Sequence, residues 1–215
     1  MRVNRCTASG KPHRYGSAAS SGSVVANDPV NGKDPTGMSC TKNGEGAYSC
    51  QIDRVAYKDE NNKVQYRAAT ADDHKDYAKA ESAMTNAANA AAQAGDTKFQ
   101  VKVDGVEPFN VTGNEIASNL ASATATVDPN NVSLDSRIGD AKMSMNPGDL
   151  RIYAGALDSR PGLGTMDQMT VEFLHEGIHQ TPGEIRALGG IPLSPSAHQN
   201  PYNGVALKIF GRRYR

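Results

Sequence analysis

The sequence predicts an α+β fold: a few-stranded sheet, one long helix and a shorter helix carrying two histidines, preceded by a disordered or extended leader. Three observations point there. Alternating apolar and polar residues recur over 48–59, 62–70, 98–103 and 149–157, with turn formers between them. The Ala-rich stretch 70–95 has helical period, and so does VEFLHEGIHQ at 171–180. Strands and helices of this kind, with no internal repeat, make a layered α+β domain.

Residues 1–38 are rich in Gly, Ser, Asn, Asp and Pro and lack a periodic apolar pattern, so they do not fold alone. They read as a leader or linker ahead of a domain at 39–215. Within the leader, VANDPVNGKDPTGM at 25–38 strings turn formers together, because Pro fixes φ and Gly permits positive φ. Next, Cys40 and Cys50 bracket TKNGEGAYS, whose Asn43-Gly44 and Glu45-Gly46 read as a turn. The two cysteines either staple a small hairpin in an oxidising compartment or remain free thiols, and Cys6 has no evident partner.

YSCQIDRVAYKD and NKVQYRAAT read as two strands across a turn at Asp59 to Asn62. A long helix follows, with Thr70 as N-cap, Asp73 three residues on and Gly95 as the stop; Tyr77, Ala80, Met84, Ala87, Ala88 and Ala91 form its apolar stripe. KFQVKV is a strand that turns at Asp104-Gly105 into EPFNVT. NEIASNLASATA is a weaker helix, and DLRIYAGAL is another strand. Thr165 and Gln168 fit a capping box, which starts a helix at Met166 that runs to about Gln180. Thr181 and Glu184 fit a second one, with Pro182 at the first helical position and Gly189-Gly190 as the end. Asn200 as N-cap and Pro201 at the first position start a final helix, with Val205, Leu207, Ile209 and Phe210 for the core and Gly211 as the stop.

Composition excludes several functions. Of 215 residues 38% are hydrophobic and 6% aromatic, with no Trp, which limits the core to a small one. Lys plus Arg and Asp plus Glu number 23 each, and only the terminal GRRYR is basic, so nucleic acid is not the expected partner. No run of 18 apolar residues exists to span a membrane. No apolar segment follows the charged N-terminus either, so the chain carries no classical signal peptide as it stands.

The chemistry concentrates in HEGIH. Two histidines four apart on a helix share one face, so His175 and His179 can converge on one cation, and Glu176 beside the first can act as general base. The bland alternative places both rings on a solvated face. Gly177 inside the helix costs about 1 kcal/mol against Ala and marks a place where backbone lies close to substrate or to a strand. A catalytic zinc takes three protein ligands and keeps one position open. His198, on a loop just before the final helix, is the expected third ligand; Glu184 is its rival, although its capping job competes. Tyr202 is positioned to donate its hydroxyl to a developing oxyanion, or else packs in the core. Glu172, one turn before Glu176, is a candidate partner that orients a histidine.

Two resemblances bear on function. VANDPVNGKDPTGM resembles the motif that closes RHS/YD-repeat cores, through Asn27, Pro29, Asn31, Asp34, Pro35, Gly37 and Met38, with Asp28 where a second Asn is common and no YD repeats before it. In polymorphic toxins that motif separates the delivery shell from a variable C-terminal toxin. The resemblance therefore implies a toxin tip, secreted or delivered into a target cell by a specialised secretion system and held in check by a cognate immunity protein.

The HEGIH helix resembles the zincin class of metallopeptidases, which implies zinc, a protein or peptide substrate and Glu176 as catalytic base. Pro182 and Ile185 stand where metzincins carry Gly and a third His, and the E-x-x-x-D of gluzincins is missing. HQNPYN after HEGIH is similar to HExxH toxin domains found behind RHS cores. Two other readings stand beside the peptidase: a zinc hydrolase acting on peptidoglycan, and a non-catalytic binding or structural tip with a structural metal.

Overall fold

The computed structural model describes residues 39–133, 143–153, 166–189 and 193–212. The leader with its turn-rich motif, Cys6, Thr165 and Gly190 lie outside the described residues. Within them the chain is α+β, as predicted.

A first hairpin joins β1 (Cys40–Lys42) to β2 (Tyr48–Cys50) with Cys40 opposite Cys50, and a disulfide closes it. Backbone N–H groups of Tyr48, Cys50 and Ile52 donate to side chains of Asn89, Thr85 and Glu81, which fastens the hairpin to one helix face. The single strand predicted over 48–59 is therefore two: β2 in this hairpin and β3 (Arg54–Lys58) in the main sheet.

That sheet has the order β4-β3-β7-β9-β8, from β4 (Val64–Ala68), β7 (Thr124–Val127), β8 (Met143–Asn146) and β9 (Asp149–Ile152). β3, β7 and β9 run parallel, and antiparallel β4 and β8 form the edges. Two elements depart from the sequence expectation. Residues 124–125, expected to end a helix, begin the central strand β7, because Ala123 is already extended and the β-branched Thr124, Thr126 and Val127 suit a pleated surface. β8 was not foreseen; it turns through Pro147-Gly148 into β9, with Gly148 at φ 71°.

The helix predicted over 70–95 is also two: α1 (Ala71–Asp76) and α2 (Ala78–Ala94), parted by Tyr77 at φ −105°, ψ 14°. Thr70 and Asp73 form the expected capping box, and Arg67 grips the Asp73 carboxylate with both guanidinium nitrogens. β5 (Lys98–Val101) and β6 (Phe109–Thr112) pair as a small hairpin, and Thr112 with Glu115 caps α3 (Gly113–Ser122). The C-terminal part holds α4 (Met166–Ile178), α5 (Pro182–Leu188) and α6 (Pro195–Arg212).

One face of the sheet contributes Ala125, Val127, Leu150 and Ile152 to a core shared with Met84, Ala87, Ala88 and Ala91 of α2, Ile116 and Leu120 of α3, and Phe173 and Leu174 of α4. On the opposite face Arg54, Thr126, Asp149 and Arg151 bond to one another, and Tyr66 stacks under Arg54. Gly177 explains how α4 seats. A Cβ there would lie 2.8 Å from Ile116 Cγ2 and 3.0 Å from Leu120 Cγ, so the close approach is to helix α3, not to a strand or substrate. Asn119 of α3 then caps the carbonyls of Gly177 and His179 at the C-terminal end of α4.

The final helix begins at Pro195, six residues before the predicted first position Pro201, which lies inside it. Val205 and Ile209 are buried as expected, Phe210 is half-buried, and Leu207 is 56% exposed, facing away from the core. The early start moves His198 from the expected loop onto the helix, one turn before Tyr202. No helix among the described residues is long and apolar enough to cross a membrane.

Candidate metal centre

α4 ends at Ile178, short of the expected Gln180, so His175 lies in its last turn and His179 in the turn directly after it, and α6 brings His198 against both. No two of the ligand atoms these histidines offer lie more than 4.8 Å apart, close enough for one metal ion to be shared. Ring centroids are 5.4 Å apart for His175 and His179, 5.3 Å for His175 and His198, and 4.8 Å for His179 and His198. His175 is buried; the other two are half-buried, so the cluster opens toward solvent on one side.

Each imidazole is held through Nδ1 by its own acceptor. His175 Nδ1 donates to Asn203 Oδ1 at 2.8 Å, His179 Nδ1 to Glu184 Oε1 at 2.8 Å, and His198 Nδ1 to the Ser194 carbonyl at 2.9 Å. A neutral imidazole protonated at Nδ1 keeps its lone pair on Nε2, so all three rings present the atom a metal needs. Three neutral nitrogens with anchored second nitrogens suit an imidazole-preferring cation and leave part of its coordination shell for other ligands.

Glu184 is placed behind this shell. Its Oε1 accepts from His179 Nδ1 and, at 2.6 Å, from the Tyr202 hydroxyl, while Oε2 accepts the Gln180 N–H at 2.5 Å. The turn that makes this possible holds Gln180 at φ 65°, a left-handed conformation uncommon outside Gly and Asn. Thr181 caps the N–H of Glu184, so the capping role read from sequence and the histidine contact coexist in one residue. Tyr202 is fully buried, its ring 4.8–5.4 Å from all three imidazoles, and its hydroxyl is committed to Glu184. The hydroxyl thus reaches the carboxylate that holds His179.

Glu176 is buried on the sheet side of α4, where the Met145 backbone N–H of edge strand β8 bonds to its carboxylate. Burial lifts its pKa to about 7, with the charges of Glu172 and Glu184 adding to the rise and His179 and the Met145 amide opposing it. Glu172 therefore tunes Glu176; the histidine partners are Asn203, Glu184 and Ser194. Burial holds His175 down at about 3, helped by its histidine neighbours. Burial also lowers His198. For His179 the same burial is outweighed by the Glu184 hydrogen bond and by the charges of Glu176 and Glu184, and its pKa is raised. Burial and Glu184 together push the Tyr202 hydroxyl far up.

Asn203, Ser194, Asn119 and Met145 were not foreseen in this arrangement. Asn203 follows Tyr202 on the final helix, and the Ser194 carbonyl comes within reach of His198 because that helix starts at Pro195. Met145 and Asn119 reach the site only through tertiary packing, for which the sequence carries no local sign. No protein-family model, no curated protein and no solved structure is significantly similar to this chain.

Proposed function

We propose that this chain is a zinc-dependent hydrolase, most specifically a metallopeptidase toxin that cleaves a protein substrate. The observation that carries the reading is the convergence of His175, His179 and His198, each with Nδ1 anchored, beside a buried Glu176 whose pKa is raised to about 7. Zinc held by three imidazoles supplies Lewis acidity, polarising a carbonyl and making water a competent nucleophile near neutral pH. The chain's own residues supply the rest. Glu176, the buried carboxylate next to His175 in sequence, would accept a proton from the attacking water and return it to the leaving amine. Asn203, Glu184 and Ser194 hold the rings, and Tyr202 fixes Glu184.

A peptide is favoured as substrate because β8 is an edge strand of the described sheet and the Met145 amide touches Glu176. An extended chain laid along that edge runs past the carboxylate. The toxin context rests on the motif at 25–38, and with it come delivery into a target cell and a cognate immunity protein as partner.

The test is Glu176→Gln, assayed by metal analysis and by cleavage of a peptide library. Wild type is expected to bind one zinc per chain and cleave; Glu176→Gln should bind zinc and fail to cleave; His175→Ala should lose the metal. Full cleavage by Glu176→Gln, or no zinc in wild type, would refute the reading.

A further inference from the structure

Helix α6 contributes more than His198. Asn203, one residue beyond Tyr202, places Oδ1 2.8 Å from His175 Nδ1. The other two histidines are served differently: His179 by an anionic carboxylate that also holds Tyr202, and His198 by a main-chain carbonyl one turn before it on its own element. Only the His175 contact depends on a single neutral side chain delivered from another helix. His175 is 2% exposed, so water cannot replace that acceptor without the site opening.

A carbonyl oxygen accepts and cannot donate, so an amide presenting Oδ1 selects the ring tautomer with the proton on Nδ1 and the lone pair on Nε2. With no acceptor at Nδ1, a buried ring gains by carrying its proton on Nε2, where His179, His198 and Tyr202 crowd it and where a cation would bind. We propose that Asn203 is a positioning residue of the metal centre: it fixes His175 in the one tautomer that can serve as a ligand. This rests on the reading of the three histidines as a metal site. Through Tyr202 on Glu184, through Asn203 on His175 and through His198 itself, α6 then sets the orientation of every imidazole in the cluster.

The full chain, stripped with a chelator, is examined by long-range proton–nitrogen correlation of its imidazoles and then titrated with zinc ion alone. Wild-type His175 is expected to carry its proton on Nδ1. Asn203→Leu, close in size but without an acceptor, should move that proton wholly or partly to Nε2 and weaken zinc binding about 10–100-fold, whereas Asn203→Asp, which restores an acceptor, should stay within about threefold of wild type. Melting curves of the stripped variants check that the fold is kept, and the tautomer signal is a readout that a merely structural role would not move. An unchanged His175 tautomer together with wild-type zinc affinity in Asn203→Leu would overturn the role of Asn203 while leaving the metal centre standing. Absence of zinc uptake by wild type would overturn the metal centre itself, and the positioning role with it.

Discussion

Glu184→Gln separates the two roles that the sequence left open for this residue, ligand or partner of a ligand. The carboxylate accepts three hydrogen bonds: from His179 and Tyr202 on Oε1 and from the Gln180 amide on Oε2. Gln has the same shape but only one acceptor oxygen. If its NH2 group faces Gln180, two donors meet in a buried site, which costs about 1–3 kcal/mol. If it faces His179, the imidazole proton must shift to Nε2 and the ring ceases to be a ligand. Either way the negative charge that makes His179 a better donor of electrons is gone.

Zinc affinity should therefore fall about 10–100-fold, or roughly 1.4–2.7 kcal/mol. The metal-free melting temperature should drop at about 2–4 °C per kcal/mol lost. Burial alone would raise the pKa of Glu184, but the hydrogen bonds from His179, Tyr202 and the Gln180 amide outweigh it and hold it below 4.5. The stability it contributes is thus present above about pH 4.5 and lost as pH falls below that, so the gap between wild type and variant should narrow on acidification. Competition with a chromophoric chelator measures the affinity, with His198→Ala run beside it. If Glu184→Gln abolishes stoichiometric zinc binding while His198→Ala keeps it, then Glu184 is the third ligand and this assignment is wrong.

Other outcomes follow from the same structure. With metal removed, Glu176 is a buried acid whose pKa is raised from 4.5 to about 7, so its stability cost is absent below pH 4.5, grows between 4.5 and 7, and is full above; Glu176→Gln should stabilise the stripped protein by about 2–4 kcal/mol at pH 8 and leave it unchanged at pH 4, as thermal melts will show. Gly177→Ala gains about 1 kcal/mol of helix propensity but drives a methyl into Ile116 and Leu120, an overpacking cost of about 1–3 kcal/mol, so urea denaturation should show a net loss and zinc titration a weaker site. Replacing Cys40 and Cys50 with Ser opens a loop of sequence separation 10 and should remove about 3 kcal/mol, measured by the same denaturation with and without reductant.

Much of the site was legible because it is local in sequence. HEGIH declared two of the three converging histidines through helical spacing alone, and Thr181-Pro182 declared the next helix through capping chemistry, which is short-range by nature. What failed was the start of the last helix. Asn200-Pro201 reads as an N-cap with Pro at the first helical position, but the helix begins at Pro195 and Pro201 lies inside it, so His198 rides on the helix with its ring anchored to the Ser194 carbonyl. Tyr202 and Asn203 lie on the predicted and the observed helix alike, but their contacts to Glu184 and His175 come from the packing of that helix, which has no local sign in the sequence. The sheet was less legible for a different reason. β7 is four residues long and pairs with strands far away in sequence on both sides, so its identity comes from partners that periodicity cannot see.

The same locality bears on how the centre is assembled. Every imidazole of the cluster and every side-chain acceptor that holds one lies between His175 and Asn203, on α4, α5 and α6 or in the turn after α4, so loop closure within that run is short and inexpensive. Glu176 is the exception. Its environment includes β8, an edge strand whose one strand partner among the described residues is β9, so the histidine cluster and Glu176 depend on different pieces of the fold. Leu150→Ala, in the strand paired with β8, loosens β8 and the core it shares with α4 while leaving the three imidazole acceptors on Asn203, Glu184 and Ser194 in place, so it should depress cleavage more than zinc affinity. Leu150 is fully buried, and its truncation costs about 2–5 kcal/mol, so the comparison belongs at low temperature, where the fold persists. Equal loss of both properties would show that the sheet and the histidine cluster stand or fall as one unit.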